Sequence, residues 1–263
     1  MRVSWKLGRV AGIDLFLHPS ALLVLFLGSA MYGGDVVAAV PFVVALFGSI
    51  VLHELGHALM ARRYGIGTRD ITLYLIGGVA RLERMPRSAG PELLIALAGP
   101  AVNVAIAAVL GATLLVGLAV DPGGSPGLAD FLLQVVSLNV GLLLFNLLPV
   151  FPMDGGRVLR ALLSGWLGRV RATEVAAGLG QFLAITGGLF GLFTGRWELA
   201  VLAAFVYFAA AAERRGVVAE ARDPQRRGFI NPPEAPLGFR WADRGDGVWR
   251  LVPALGRPQA WGR

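Results

Sequence analysis

Residues 36–61 read VVAAVPFVVALFGSIVLHELGHALMA and run straight into Arg62-Arg63. At 1.5 Å per residue this stretch makes about 39 Å of helix, enough to cross a hydrocarbon core of about 30 Å. Its ionisable residues are confined to Leu52-His53-Glu54-Leu55-Gly56-His57 near the downstream end. Positions i and i+4 share a helical face, so His53 and His57 can point two imidazole nitrogens at one zinc ion. Glu54, about 100° around the same helix, then stands beside the metal as a candidate base for an activated water. In a shuffled chain with three histidines and eight glutamates the pattern would occur about 0.001 times, so chance is a poor account of it. The bland alternative is a pair of buried histidines that only hold helices together. Ionisable groups inside a span are costly and by default mark a functional site.

The rest of the chain agrees with a membrane reading. Of 263 residues 56% are hydrophobic and 16% charged, with a mean hydropathy of +0.66. Soluble domains carry about 25% charged residues, so a soluble enzyme and a disordered chain are both excluded. The absence of cysteine rules out disulfides, a thiol nucleophile and Cys-ligated metals. The net charge of +7 is almost wholly arginine, Lys6 being the lone lysine. Those arginines lie in short loops beside apolar spans, a pattern of membrane orientation rather than nucleic-acid binding. No cleavable signal peptide is read, because no small-residue cleavage site follows the first apolar run. The richness in Arg, Ala and Gly suggests a GC-rich prokaryotic genome.

Six apolar spans are expected, at 17–33, 36–61, 91–120, 128–148, 173–194 and 197–212, the last being short for a crossing. Arginine-rich connections alternate with poor ones. Arg2, Lys6 and Arg9 precede the first span, and Arg62, Arg63, Arg69, Arg81, Arg84 and Arg87 follow the second. Arg157, Arg160, Arg169 and Arg171 follow the fourth, and Arg214, Arg215, Arg222, Arg226 and Arg227 the sixth. The positive-inside rule then puts both termini in the cytoplasm of a prokaryotic cell membrane. The expected class is an all-α polytopic membrane protein of about six transmembrane helices, with a short membrane-associated β-hairpin near residues 70–85. That hairpin is read from Ile71–Ile76 and Val79–Arg84 around Gly77-Gly78. Two parts are expected: a membrane domain over 1–215 and a Pro- and Trp-containing cytoplasmic tail over 216–263. Residues 239–242 and 248–252 read either as one more hairpin or as irregular tail.

Catalytic zinc needs a third protein ligand and an open position. His18 precedes the first span and reads as an interfacial residue, so a carboxylate is required. The conspicuous candidate is Asp154 in NLLPVFPMDGGR, residues 146–157, where two prolines and paired glycines break the chain near the cytoplasmic face. Taken alone, Asp154 reads equally as a cap for the following helix.

HELGH at the end of a span, followed downstream by NLLPVFPMDGGR, resembles the site-2 protease family of intramembrane zinc metalloproteases. ALAGPAVN, ending at Asn103, and IGGVARLERMPRS, residues 76–88, resemble it too and come in the family's order. The likeness covers residues 8–165. It implies an endopeptidase that cuts within or near transmembrane segments of membrane-protein substrates. His53, His57 and Asp154 would hold one Zn2+ per chain, with Glu54 the catalytic base and Asn146 positioning the substrate or its oxyanion. Asn103 would lie on the substrate side, and Gly99 matches a small-residue position whose alternative role is helix packing. The hairpin with Gly77 and Gly78 would either receive an unwound substrate by strand addition or simply cover the metal. The implied partners are a transmembrane protein substrate and the lipid bilayer, without nucleic acid. The 216–263 tail is too short for the paired nucleotide-sensing domains of some relatives, and no PDZ domain is read in it.

Three rivals remain at this level. Another zinc protease type would take its third ligand from a downstream glutamate, here Glu174. An inactive relative would bind membrane helices as a scaffold. A transporter would need inverted repeats, and none is seen.

Overall fold

The computed structural model describes residues 4–75, 77–84, 86, 88–121, 125–222, 239–243 and 249–253. The chain forms two compact units, Met1–Glu213 and Arg214–Arg263. In the first, strands β1 (Trp5–Val10) and β2 (Ile13–Leu17) precede a short helix α1 (Leu22–Ser29) flanked by 3-10 turns. Helix α2 (Val36–Arg63) leads to strands β3 (Thr68–Tyr74) and β4 (Gly77–Leu82). Helices α3 (Ala89–Val120), α4 (Pro126–Asn146), α5 (Asp154–Leu167), α6 (Arg169–Phe193) and α7 (Trp197–Arg222) follow.

Four of these helices, α2, α3, α4 and α6, are long and apolar enough to cross a membrane. Six were expected, and the two others differ for separate reasons. The apolar segment Pro19–Tyr32 is shorter than a span. At 14 residues it would rise only about 21 Å. Helix α7 is long enough at 26 residues, but Glu198, Glu213 and Arg214 limit its apolar run.

The expectation of an all-α chain with a lone hairpin is corrected by a four-stranded sheet in the order β1-β2-β3-β4. The β1–β2 turn sits at Ala11-Gly12, both at positive φ (52° and 87°), as a tight hairpin requires. Strand β2 then pairs in parallel with β3, from Asp14↔Asp70 to Leu17↔Leu73. Arg81 Nε donates to Asp70 Oδ1 at 2.7 Å across β4–β3 and secures that register. The glycines belong to β4 rather than to the hairpin turn: Gly77 pairs with Tyr74 and Gly78 with Leu73.

The sheet explains the short α1. His18 N donates to Leu73 O at 2.9 Å. Gly78, opposite Leu73, is close enough to α2 that a methyl there would fall 2.7 Å from Ile50 Cγ2 and 2.8 Å from Glu54 Cγ. The chain therefore leaves the sheet level with the middle of α2, and α1 covers only the remaining distance back to its start.

Helix α2 is well terminated. Asp35 Oδ1 accepts from Val37 N (2.8 Å) and Ala38 N (3.1 Å), a cap worth about 1 kcal/mol. Arg62 and Arg63 occupy the last turn, where cations complement the helix dipole. Gly56 lets α3 approach closely, since a methyl there would lie 2.7 Å from the Ala98 carbonyl oxygen. The 147–153 turn is wedged between α6 and α7. Val150 and Met153 pack on Ala184 and Val206, and Phe151 packs on Ala176, Ala177 and Ala210.

In the second unit, β5 (Phe239–Asp243) and β6 (Trp249–Pro253) pair antiparallel with Trp241 opposite Leu251. The hairpin alternative for the tail is thus the one found. The rest of the expected tail, 223–238 and 254–263, lies outside the described residues.

Candidate metal centre

His53 and His57 stand one turn apart on the buried face of α2, 5% and 4% exposed. Each ring is held from behind. His53 Nδ1 donates to Asn103 Oδ1 at 2.9 Å, and His57 Nδ1 donates to the Ile95 carbonyl at 2.7 Å. With the protons on Nδ1, both Nε2 lone pairs are free, the tautomer that metal-ligating histidines adopt. Helix α3 supplies both partners, so its packing on α2 sets the two rings.

The two Nε2 atoms lie 3.1 Å apart. Asp154 Oδ2 lies 3.1 Å from His53 Nε2 and 3.0 Å from His57 Nε2. Among the described residues these three form a group able to hold a metal ion. Three lone pairs aimed at one point repel one another unless a cation stands among them. Two neutral imidazoles and a carboxylate suit zinc, whose ligands at 2.0–2.1 Å sit roughly 3.3 Å apart in a tetrahedral site. The donor set and its spacing therefore fit the ion.

Asp154 opens α5, and the glycines after it explain how it reaches α2. A methyl at Gly155 would lie 2.2 Å from Leu148 O, and one at Gly156 2.6 Å from Val150 C. Only glycines let the first turn of α5 tuck under the preceding turn. Gly99 does the same for the imidazoles: a methyl there would fall 2.2 Å from His57 Nε2 and 2.7 Å from His53 Nε2. Its role is clearance over the ligands as well as helix packing.

Glu54, half-buried, faces the sheet beside the histidine face. Its Oε2 accepts from Ala80 N at 3.1 Å. That bond ties the carboxylate to β4, the last strand in the sheet order. Gly78 contacts the Glu54 side chain, whereas a methyl at Gly77 would meet nothing within 4 Å.

Asn103 is fully buried and lies against a ligand histidine rather than on a surface open to substrate. Asn146 sits at the end of α4, its Nδ2 donating to Leu142 O at 2.9 Å within its own helix. His18 caps the turn before α1, with Nδ1 2.8 Å from Ser20 Oγ. Glu174 is exposed on α6 and lies outside the ligand group. Two backbone groups, the Ile95 carbonyl and the Ala80 amide, escaped the sequence reading, because a main-chain partner has no residue signature.

Comparison with known proteins agrees with this geometry. The profile of Peptidase family M50 matches residues 41–123 and 124–187. A zinc metalloprotease of Methanocaldococcus jannaschii is 40% identical over 224 residues, covering 84% of this chain and 63% of its own. Stage IV sporulation protein FB of Bacillus subtilis is 25% identical over 198 residues, covering 75% of this chain and 64% of its own. The chain thus spans less than two thirds of either of these curated relatives. The solved structure of a site-2 protease from M. jannaschii superposes with a TM-score of 0.58 at 38% identity, covering 81% of this chain and 95% of that one. On the matched residues, the relatives and the shared fold, the chain belongs to peptidase family M50, the site-2 proteases.

Proposed function

We propose that this chain is an intramembrane zinc endopeptidase that hydrolyses peptide bonds within or near transmembrane segments of membrane-protein substrates. The observation that carries the reading is the convergence of His53 Nε2, His57 Nε2 and Asp154 Oδ2 on α2, a helix able to span, with Glu54 alongside. Zinc held there would acidify a water molecule toward a pKa of about 7 and polarise the scissile carbonyl. Glu54 takes the proton of the attacking water and returns it to the leaving amine. Asn103 and the Ile95 carbonyl keep the two imidazoles in the ligating tautomer. Asn146 is the group assigned to steady the substrate or its developing oxyanion.

A helical substrate hides its carbonyls in backbone hydrogen bonds and must unwind to be cut. Strand β4 is an edge strand among the described residues, and its Ala80 amide donates to Glu54. An unwound segment added along β4 would pass the catalytic base, with Gly77 and Gly78 keeping the approach free of side chains.

Six spans with both termini cytoplasmic remain the proposed topology, with the protease domain over 1–215 and a cytoplasmic tail over 216–263. For its first part the support is the parallel β2–β3 pairing, which ties the N-terminal hairpin to the strands that follow α2; for the rest it is the alternation of arginine-rich and arginine-poor connections. Tags at Met1 and Arg263 should both be labelled from the cytoplasmic side; labelling from opposite sides would refute the topology. For the activity, the full chain in detergent should cleave a single-pass membrane substrate, lose cleavage on chelation and regain it with zinc. Cleavage insensitive to the chelator would overturn the zinc reading.

A further inference from the structure

The side chain of Arg160 is fully buried, and the reaction proposed above does not use it. Its Nε donates to Glu92 Oε1 at 2.7 Å, and a second guanidinium nitrogen is ion-paired with the same oxygen. Nη1 donates to Glu213 Oε1 at 2.5 Å. The guanidinium carbon stands 4.9 Å from the centroid of the Phe151 ring, within cation–π range.

These partners flank the metal centre. Glu92 lies in the first turn of α3, three residues before the Ile95 carbonyl that holds His57, on the helix whose Asn103 holds His53. Phe151, 1% exposed, lies three residues before Asp154. Arg160 itself is in the second turn of the helix that Asp154 opens. One guanidinium therefore joins the start of the histidine-holding helix to both sides of the turn that delivers the third ligand.

Arginine suits such a junction because its planar fork fixes direction as well as charge, which a lysine ammonium does not. A well-packed apolar side chain would fill the same space without the cost of desolvating three charges. A geometric task explains why the charges are there. We propose that Arg160 is a positioning residue for the metal centre, holding Asp154 in register with His53 and His57 through Phe151 and Glu92. This rests on the metal centre proposed above.

The test uses the full chain purified in detergent, with Arg160→Gln, Arg160→Lys and Glu92→Gln. Val43→Ala, at the α1–α2 contact, is the control for general loosening of the bundle. Zinc affinity is measured by chelator competition, and ligand geometry by the visible spectrum of the cobalt-substituted protein. Arg160→Gln and Glu92→Gln should each weaken zinc binding about 10–100-fold, as loss of supporting shells does elsewhere. Both should shift the cobalt spectrum and lower kcat with KM unchanged, while Arg160→Lys recovers part of each effect. Val43→Ala should leave affinity and spectrum as in the wild type. Wild-type affinity and spectrum in folded Arg160→Gln would overturn the proposal. Should that variant fail to fold, the same result in both Glu92→Gln and Arg160→Lys would overturn it. A folded wild type that takes up no zinc would instead remove the metal centre, and the positioning role with it.

Discussion

Gly99→Ala is expected to empty the metal centre while leaving the rest of the helix bundle assembled. The added methyl would sit 2.2 Å from His57 Nε2 and 2.7 Å from His53 Nε2, far inside van der Waals contact. Neither ring can yield cheaply, because each is tied at Nδ1 to α3, the helix that would carry the methyl. Either the imidazoles rotate off their partners or α3 moves away from α2. Overpacking of this kind costs about 1–3 kcal/mol of stability. Zinc affinity should fall by at least the roughly 10–100-fold seen when supporting groups of metal ligands are lost. Gly111→Ala is the matched comparison on the same helix, since a methyl there meets nothing within 4 Å. That variant should bind zinc normally and gain up to about 1 kcal/mol from helix propensity. Equal zinc binding by the two variants would refute the placement of Gly99 over the ligands.

Glu54→Gln is the second large effect expected, and it separates chemistry from metal binding. Glutamine keeps the shape of the side chain, and its amide oxygen can still accept the Ala80 N–H. It cannot take a proton from water. Loss of a general base typically lowers turnover about 10²–10⁴-fold. Zinc content should match the wild type, because the three ligand atoms belong to His53, His57 and Asp154. Turnover within a few fold of the wild type would remove Glu54 from the base role, and lost zinc would make it part of the metal-binding set.

How legible this site was depended on how local each part of it is. His53, Glu54 and His57 lie within one helical turn and a fraction, so spacing alone relates them. Asp154 is about a hundred residues away, yet its prolines and glycines mark a break that only a special backbone path explains. The pair Asn103–His53 joins positions fifty residues apart, and the sequence put Asn103 nearer the substrate than the metal. The Ile95 carbonyl carries no sequence signal at all, since any residue offers the same group.

The fold divides the same way. The β3–β4 hairpin shows as two β-rich runs around glycines, but the glycines lie in β4 because that strand must press on Ile50 and Glu54. Strands β1 and β2 do not show in the sequence, because they are short, carry Lys6, Arg9 and Asp14, and run directly into the apolar segment that begins at Leu17. Their pairing is non-local at β2–β3, joining positions 14–17 to 70–73, and periodicity cannot report such a contact. The short α1 follows from that contact, since the paired strands place its start level with the middle of α2. From the sequence Arg160 reads as one of the cytoplasmic orienting charges, whereas its partners on α3 and α7 bury it.

The central claim is that His53, His57 and Asp154 hold one zinc ion, and metal stoichiometry tests it most directly. Elemental mass spectrometry of detergent-purified wild type and Asp154→Ala, both checked for folding, should give near one zinc per chain in the first and a clearly lower value in the second. A folded wild type that stays metal-free after zinc is supplied, or an Asp154→Ala variant with the full complement, would contradict it.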